Sequence, residues 1–343
     1  MKIKKSLSCA RVDTYRIDTS SNETYYPQSG DVAVFRITHE EECYLAGPDW
    51  VNRYLFTGDL ILATYGNRYA TSQMEGYVPQ APGTPLHLIG RGGVVGTLKT
   101  VNATYKTEVP TVELVGYAVD MQGQVINTRE QNLLPFDPSQ VRSKVILSIG
   151  SSMDAGKTTT AAYLSAGLQS QGAQVAFIKL TGTTFPKDKR FVRDRGTDYV
   201  CDFADLGFPS TFLEDETTLL GIYQTLVDQC WEAVQPEYIV LEIADGILQR
   251  ETELLLDNPA FMNTIYDVIL SCATSLEVQS ALHILDRKGI RPFALAGLFT
   301  ASELMIQEVA RSVEIPIIRL PHLLTQEPLR LLEHQALALA RRV

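Results

Sequence analysis

The sequence predicts an α/β protein: a mostly parallel, doubly wound sheet built on a phosphate loop, preceded by a small all-β domain. Three observations carry that prediction. From residue 144 onward, apolar strand-like runs alternate with helical stretches. Between about 30 and 130, short runs alternate at period two, with Gly, Pro, Asn and Asp between them. And VILSIGSSMDAGKTTTAAYL, residues 145–164, reads as a buried strand, a glycine-bounded loop, and a helix opening on Gly-Lys-Thr.

The all-β part comes first in the chain. DVAVFRI, DLILATYG, LHLIGRGGVVGTLKTV and TVELVGYAVD place β-branched or aromatic residues at every second position. That pattern fits half-buried strands of a small barrel or sandwich. Nothing there reads as a long helix. Asn67 and Arg68, between Tyr65 and Tyr69, and Arg91 in GRGG are expected in ordinary hairpin turns. NTREQNLLPFDPSQVRSK, residues 127–144, is polar, contains Pro135 and Pro138, and reads as a linker. The expected division is 1–140 for the β module and 141–343 for the α/β domain.

In the second part, VILSIG (145–150) is a strand and TTTAAYLSAGLQSQG (158–172) a helix ending at a glycine. QVAFIKL (174–180) is the next strand, and TTLLGIYQTLVDQCWEAV (217–234) is an amphipathic helix. YIVLEIA (238–244) is apolar almost throughout, as a strand covered on both faces must be. DVILSC, FALAGLF and PIIRL follow as strands, with helices SLEVQSALHILDRKG and ASELMIQEVARSVE between them. A last helix is expected near 323–342. Alternating β and α units build a parallel sheet with helices on both faces.

Composition narrows the function. The 343 residues are 45% apolar and 20% charged, an ordinary globular balance with room for two domains. No apolar run approaches the roughly 18 to 20 residues that span a bilayer. Lys2, Lys4, Lys5 and Cys9 hint at an export signal, but no apolar core lies between them, so a cytoplasmic location and no membrane partner are expected. A net charge of −10 argues against a nucleic-acid partner. Cys9, Cys43, Cys201, Cys230 and Cys272 are scattered and fit neither a zinc site nor a disulfide framework; buried reduced thiols are expected. His39, His87, His283, His322 and His334 show no ligand spacing.

The common phosphate-loop pattern is G-x-x-x-x-G-K-[ST]. Here five residues, not four, separate Gly150 from Gly156-Lys157-Thr158. The physics is unchanged. A loop of small residues turns successive N–H groups toward an anion, and the helix that follows adds the positive end of its dipole. The candidate phosphate-binding residues are Gly150, Ser151, Ser152, Met153, Asp154, Ala155, Gly156, Lys157, Thr158 and Thr159. Lys157 would reach the outer phosphates, and Thr158 would offer its hydroxyl to Mg²⁺.

This loop length resembles that of dethiobiotin synthetase and the related cobyrinic acid amide synthetases, within the phosphate-loop class that includes MinD. The group has an Asp four residues before the second Gly; here that position is Ser152. The resemblance covers roughly residues 144–320, and its implications are expectations. A Lys at the tip of the second strand, here Lys179, lies near phosphates and substrate. An acid ending the third strand, here Glu242 in Leu241-Glu242-Ile243-Ala244-Asp245-Gly246, serves Mg²⁺. Lys157, Lys179 and Glu242 are then the catalytic candidates. Thr300 and Ser302 fall where the group places base contacts. Such enzymes are often dimers, so a homodimer is expected.

Residues 179–211 carry Asp188, Asp194, Asp198, Asp202 and Asp205 among Lys187, Lys189, Arg190, Arg193 and Arg195. This stretch follows a sheet tip beside the loop, so one or more of Lys179, Asp188, Asp194 and Asp198 is expected to line the site. Asp188 joins Thr158 and Glu242 as a metal candidate. Gln249, Arg250 and Glu251 lie just beyond the third strand.

The main expectation is an ATP- and Mg²⁺-dependent ligase or kinase that activates a small anionic substrate by phosphorylation. A second is a nucleotide-gated switch or assembly NTPase acting on a protein partner. A third keeps the loop for the phosphates of coenzyme A, as in an N-acetyltransferase. A fourth, an RNA-end kinase, is disfavoured by the charge.

Overall fold

The computed structural model describes residues 2–40 and 43–340, with the side chains of 334–340 outside that description. The expectation for His334 therefore lies outside the described side chains. The chain forms two compact units. One comprises Met1–Asn132 with Gly182–Lys187 and Phe203–Leu213; the other comprises Leu133–Thr181, Asp188–Asp202 and Glu214–Val343.

Among its described residues the first unit contains eleven strands: β1 (Lys4–Lys5), β2 (Arg16–Asp18), β3 (Val32–His39), β4 (Tyr44–Ala46), β5 (Asn52–Tyr54), β6 (Leu60–Tyr65), β7 (Arg68–Ala70), β8 (Met74–Tyr77), β9 (Leu86–Gly90), β10 (Val94–Val101) and β11 (Thr111–Val119). Pairing runs β6-β3-β11-β9-β10, and β10 pairs back to β6, so these five strands close a small barrel. Its alternating inward residues, among them Phe35, Ile37, Tyr65, Leu88, Val95 and Tyr117, fill one core. Arg91 stacks over the Tyr44 ring at 4.4 Å, a packing role within this unit.

The second unit has a six-stranded sheet, all parallel, in the order β14-β13-β15-β12-β16-β17. The strands are β12 (Lys144–Gly150), β13 (Val175–Lys179), β14 (Tyr199–Asp202), β15 (Tyr238–Glu242), β16 (Ile265–Ser271) and β17 (Ala294–Ala296). The helices are α1 (Lys157–Ser170), α2 (Lys187–Asp194), α3 (Glu216–Val234), α4 (Arg250–Asp257), α5 (Pro259–Met262), α6 (Ser275–Asp286), α7 (Glu303–Ala310) and α8 (Glu327–Ala340). Every residue of β15 is buried, as its unbroken apolar run requires. Caps set the helix starts: Asp215 accepts the Thr218 N–H, Asn258 the Phe261 N–H, and Ser302 the Met305 N–H.

Two expectations change. PIIRL forms no strand; a single parallel bridge joins Leu295 to Ile317, where Pro316 has no N–H to give a ladder. And the charged stretch 179–211, where no helix or strand is expected beyond residue 180, carries secondary structure. It holds α2 and the edge strand β14, joined by a buried ion pair between Lys189 Nζ and Asp202 Oδ1 at 3.1 Å.

Asp267, in β16, is buried and accepts the Val268 N–H, and burial pushes its carboxyl up to about 6. Its folded value lies above its unfolded one. The penalty is therefore absent at low pH, grows as pH rises from the unfolded value to about 6, and is constant above. Asp267→Asn keeps an acceptor without the charge. It should raise stability above pH 6 by on the order of 2 kcal/mol, and by little at pH 4, as read from denaturant unfolding.

Candidate phosphate and metal site

The site lies at the carboxyl ends of β12, β13 and β15, where parallel sheets gather ligands. Register brings its residues together: Glu242 pairs with Ser148 of β12 on one side and Lys179 of β13 on the other. The loop between β12 and α1 then passes over them.

Two glycines allow that loop its shape. A Cβ on Gly150 would stand 2.7 Å from Lys157 Cγ, so the lysine stem folds across a position that must carry no side chain. Gly156 caps α1 in the left-handed region at φ +103°, which L side chains rarely adopt. Asp154 also has positive φ, at 63°. Ser151 N–H is spent on the Ser271 carbonyl, and Ile247 N–H donates to Gly150.

Lys157 is buried and turned back onto the loop. Its ammonium donates to the Ser152 carbonyl at 2.8 Å and to the Asp245 carbonyl. Burial lowers its pKa; Glu242 and Asp245 oppose that shift, and Lys179 adds to it. The ammonium is thus poorly solvated and held by neutral carbonyls that a phosphate would outcompete. Lys179 ion-pairs with Asp188 at the start of α2. Burial works against its charge as well, but Asp188 and Glu242 outweigh it and hold its pKa above the ordinary lysine value.

Glu242 is almost completely buried. Its Oε1 accepts the Thr158 hydroxyl at 2.9 Å, and its Oε2 is buried with no hydrogen-bond partner. Burial raises its pKa, and Lys179 and Lys157 pull against that. A buried carboxylate oxygen without a partner is costly and asks for a cation. Among the described residues no group of three or more His, Cys, Asp or Glu gathers around one point. Mg²⁺ does not need one, since it keeps several waters and uses one or two protein ligands beside phosphate oxygens.

The other candidates sort differently. Asp194 pairs with Arg190 on an exposed face, and Asp198 accepts from Gln169 Nε2. Gln249 caps α4 and donates to Glu251, which also takes Arg250, so these three form a helix-start network. Thr300 donates to the Gly297 carbonyl, and Ser302 caps α7.

Thr181, one of the small hydroxylated residues expected to suit anion contact, has a different role, and Glu277 was not expected. Thr181 Oγ1 bridges the N–H and carbonyl of Ala244, both at 2.9 Å, tying the tip of β13 to the turn after β15. Glu277, in the first turn of α6, accepts from the hydroxyls of Ser151 and Ser152 in the phosphate loop. Its signal was present: Thr274-x-x-Glu277 is a capping-box pattern.

No protein-family model and no curated protein matches the chain. Among solved structures it is similar to signal recognition particle receptor FtsY from Elizabethkingia anophelis, at 16% identity over 51% of this chain and 57% of that one, TM-score 0.35. The same receptor in complex with GDP matches at 15% over 51% and 56%, TM-score 0.36. Chloroplast FtsY from Physcomitrella patens matches at 15% over 55% and 61%, TM-score 0.37. The chain spans less than two thirds of each. The expected ATP-dependent activation of a small anionic substrate finds no support among these structures and is not carried forward. Among the described residues no helix is long and apolar enough to cross a membrane.

Proposed function

We propose that the second unit binds a magnesium nucleoside triphosphate, hydrolyses it slowly, and uses the change of state to regulate contact with a protein partner. The observation that carries the nucleotide part is the Thr158–Glu242 pair at the foot of the loop, with the buried Oε2 of Glu242 lacking a partner. Thr158 and Glu242 would hold Mg²⁺ or its water shell. Lys157 would leave its two carbonyls for the outer phosphates, and Lys179 would stabilise charge on the terminal one. Asp188 is its partner until then. The loop spacing, Lys179 and Glu242 keep the finer likeness to the dethiobiotin synthetase group as a resemblance in architecture.

Exposed leucines favour a protein partner. Leu248, Leu276, Leu298 and Leu304 are each more than half exposed. Leu248, Leu276 and Leu298 follow the carboxyl ends of β15, β16 and β17, the end of the sheet from which the phosphate loop leaves β12, and Leu304 lies in the first turn of α7. Large apolar side chains grouped near a ligand site mark an interaction surface. A surface there would sense which nucleotide is bound.

The reading is tested by phosphate release from MgGTP and MgATP, with Lys157→Ala as blank. A slow basal rate that a pool of small metabolites leaves unchanged is expected. Stoichiometric transfer of the phosphoryl group to a small molecule, or tight binding of coenzyme A with no binding of either nucleotide, would contradict it.

A further inference from the structure

Glu277 has a carboxylate where an anion-binding loop would be expected to avoid one. It belongs to the N-terminal turn of α6, whose N-cap Thr274 accepts the Glu277 N–H. In an ordinary capping box the glutamate reaches back to the N-cap N–H. Here Oε2 instead accepts the Ala273 N–H at 3.2 Å, the Ser152 hydroxyl at 3.4 Å, and the Ser151 hydroxyl. Oε1 takes the Thr274 hydroxyl at 3.4 Å. The positive end of the α6 dipole favours a negative charge at this position. One carboxylate therefore ties the first half of the phosphate loop to the end of β16.

We infer that Glu277 is a positioning residue that sets the anion affinity of the phosphate loop, holding the Ser151 and Ser152 hydroxyls in place while its charge opposes the phosphates. This rests on the nucleotide reading above. The tie and the charge act in opposite directions. The tie keeps the loop open and ordered, which favours binding because less must be fixed on association. The charge beside a polyphosphate disfavours it, and more so where water is excluded. A glutamate chosen for both would keep affinity moderate, which suits a protein that must release its nucleotide.

The two effects separate at one position. Glu277→Gln keeps acceptors for the serine hydroxyls and the Ala273 N–H but removes the charge. Glu277→Asp keeps the charge but is one methylene too short to reach the loop. Binding of fluorescent MgGTP and MgATP analogues to the full chain, at 0.05 M and 0.5 M salt, reads both, with Lys157→Ala as blank and thermal melts as the folding control. The Gln variant should bind about three- to tenfold tighter at low salt, with the gain shrinking at high salt as charge is screened. The Asp variant should bind several-fold more weakly. A helix cap with no effect on the loop would change melting and leave both affinities within twofold of wild type. If wild type binds, Lys157→Ala does not, and the Gln variant is equal or weaker, the inference is overturned and the nucleotide reading stands. If wild type binds neither nucleotide, the nucleotide reading fails and takes this inference with it.

Discussion

Lys157→Ala is expected to cost at least about a hundredfold in affinity for a magnesium nucleotide, roughly 2.7 kcal/mol, while the ligand-free protein melts within about 2 °C of wild type. Both halves follow from how the side chain is held. Its ammonium sits in a poorly solvated place and donates to two neutral carbonyls, Ser152 and Asp245. Burial already lowers its pKa, so the folded protein gains little from the charge. A polyphosphate would gain a great deal, because charge-assisted hydrogen bonds are about twice as strong as neutral ones. Calorimetric titration and a melting curve on one preparation check it. Unchanged affinity would remove the phosphate loop from the site. A large fall in melting temperature would make Lys157 a structural residue.

Glu242→Gln should have the second-largest effect, and a different kind. The amide oxygen still accepts the Thr158 hydroxyl, so nucleotide affinity without Mg²⁺ should stay within a few-fold. Mg²⁺-dependent hydrolysis should fall by at least about a hundredfold, because the terminal phosphate loses its positioned cation. A pH signature accompanies this. Burial holds the Glu242 carboxyl above its ordinary pKa, and a bound cation favours the ionised form. Mg²⁺ affinity should therefore rise as pH rises through that elevated value, with a proton released on binding. The release should vanish in the Gln variant. Equal loss of binding and turnover would mean that Glu242 only shapes the strand end.

Much of this arrangement was legible in the residues. VILSIG and YIVLEI read as buried strands because helices cover both faces and no polar alternation is needed. Gly156-Lys157-Thr158 announced the loop because glycine conformation and helix-start donors leave few alternatives. Lys179 and Glu242 were singled out through the resemblance, and the register of β13 and β15 sets them side by side. Other parts were not legible, for physical reasons. KDKRFVRD has only Phe191 and Val192 as apolar residues, and Lys189 is buried with its counter-ion Asp202, so neither α2 nor β14 was assigned from the sequence. Thr181 looks like any threonine after a strand; its bridge to Ala244 depends on the neighbouring strand in space. Glu277 lies in a stretch expected to be helical, and only the fold brings its carboxylate to Ser151 and Ser152. Segments 182–187 and 203–213 belong to the unit of the barrel although they interrupt the α/β sequence, which a linear division near residue 140 does not capture.

The central claim is that a nucleotide at the phosphate loop changes the state of this chain. Hydrogen exchange by mass spectrometry on the full chain tests it most directly, comparing ligand-free protein, a diphosphate, and a non-hydrolysable triphosphate with Mg²⁺. The account predicts protection of 150–159 and 242–247 with either nucleotide. It predicts a further change that requires the triphosphate, at 179–188 where Lys179 would leave Asp188, and around Leu248, Leu276 and Leu298. Identical exchange in all three conditions would contradict nucleotide binding. Equal protection by diphosphate and triphosphate would contradict gating and leave a nucleotide-binding protein without a switch.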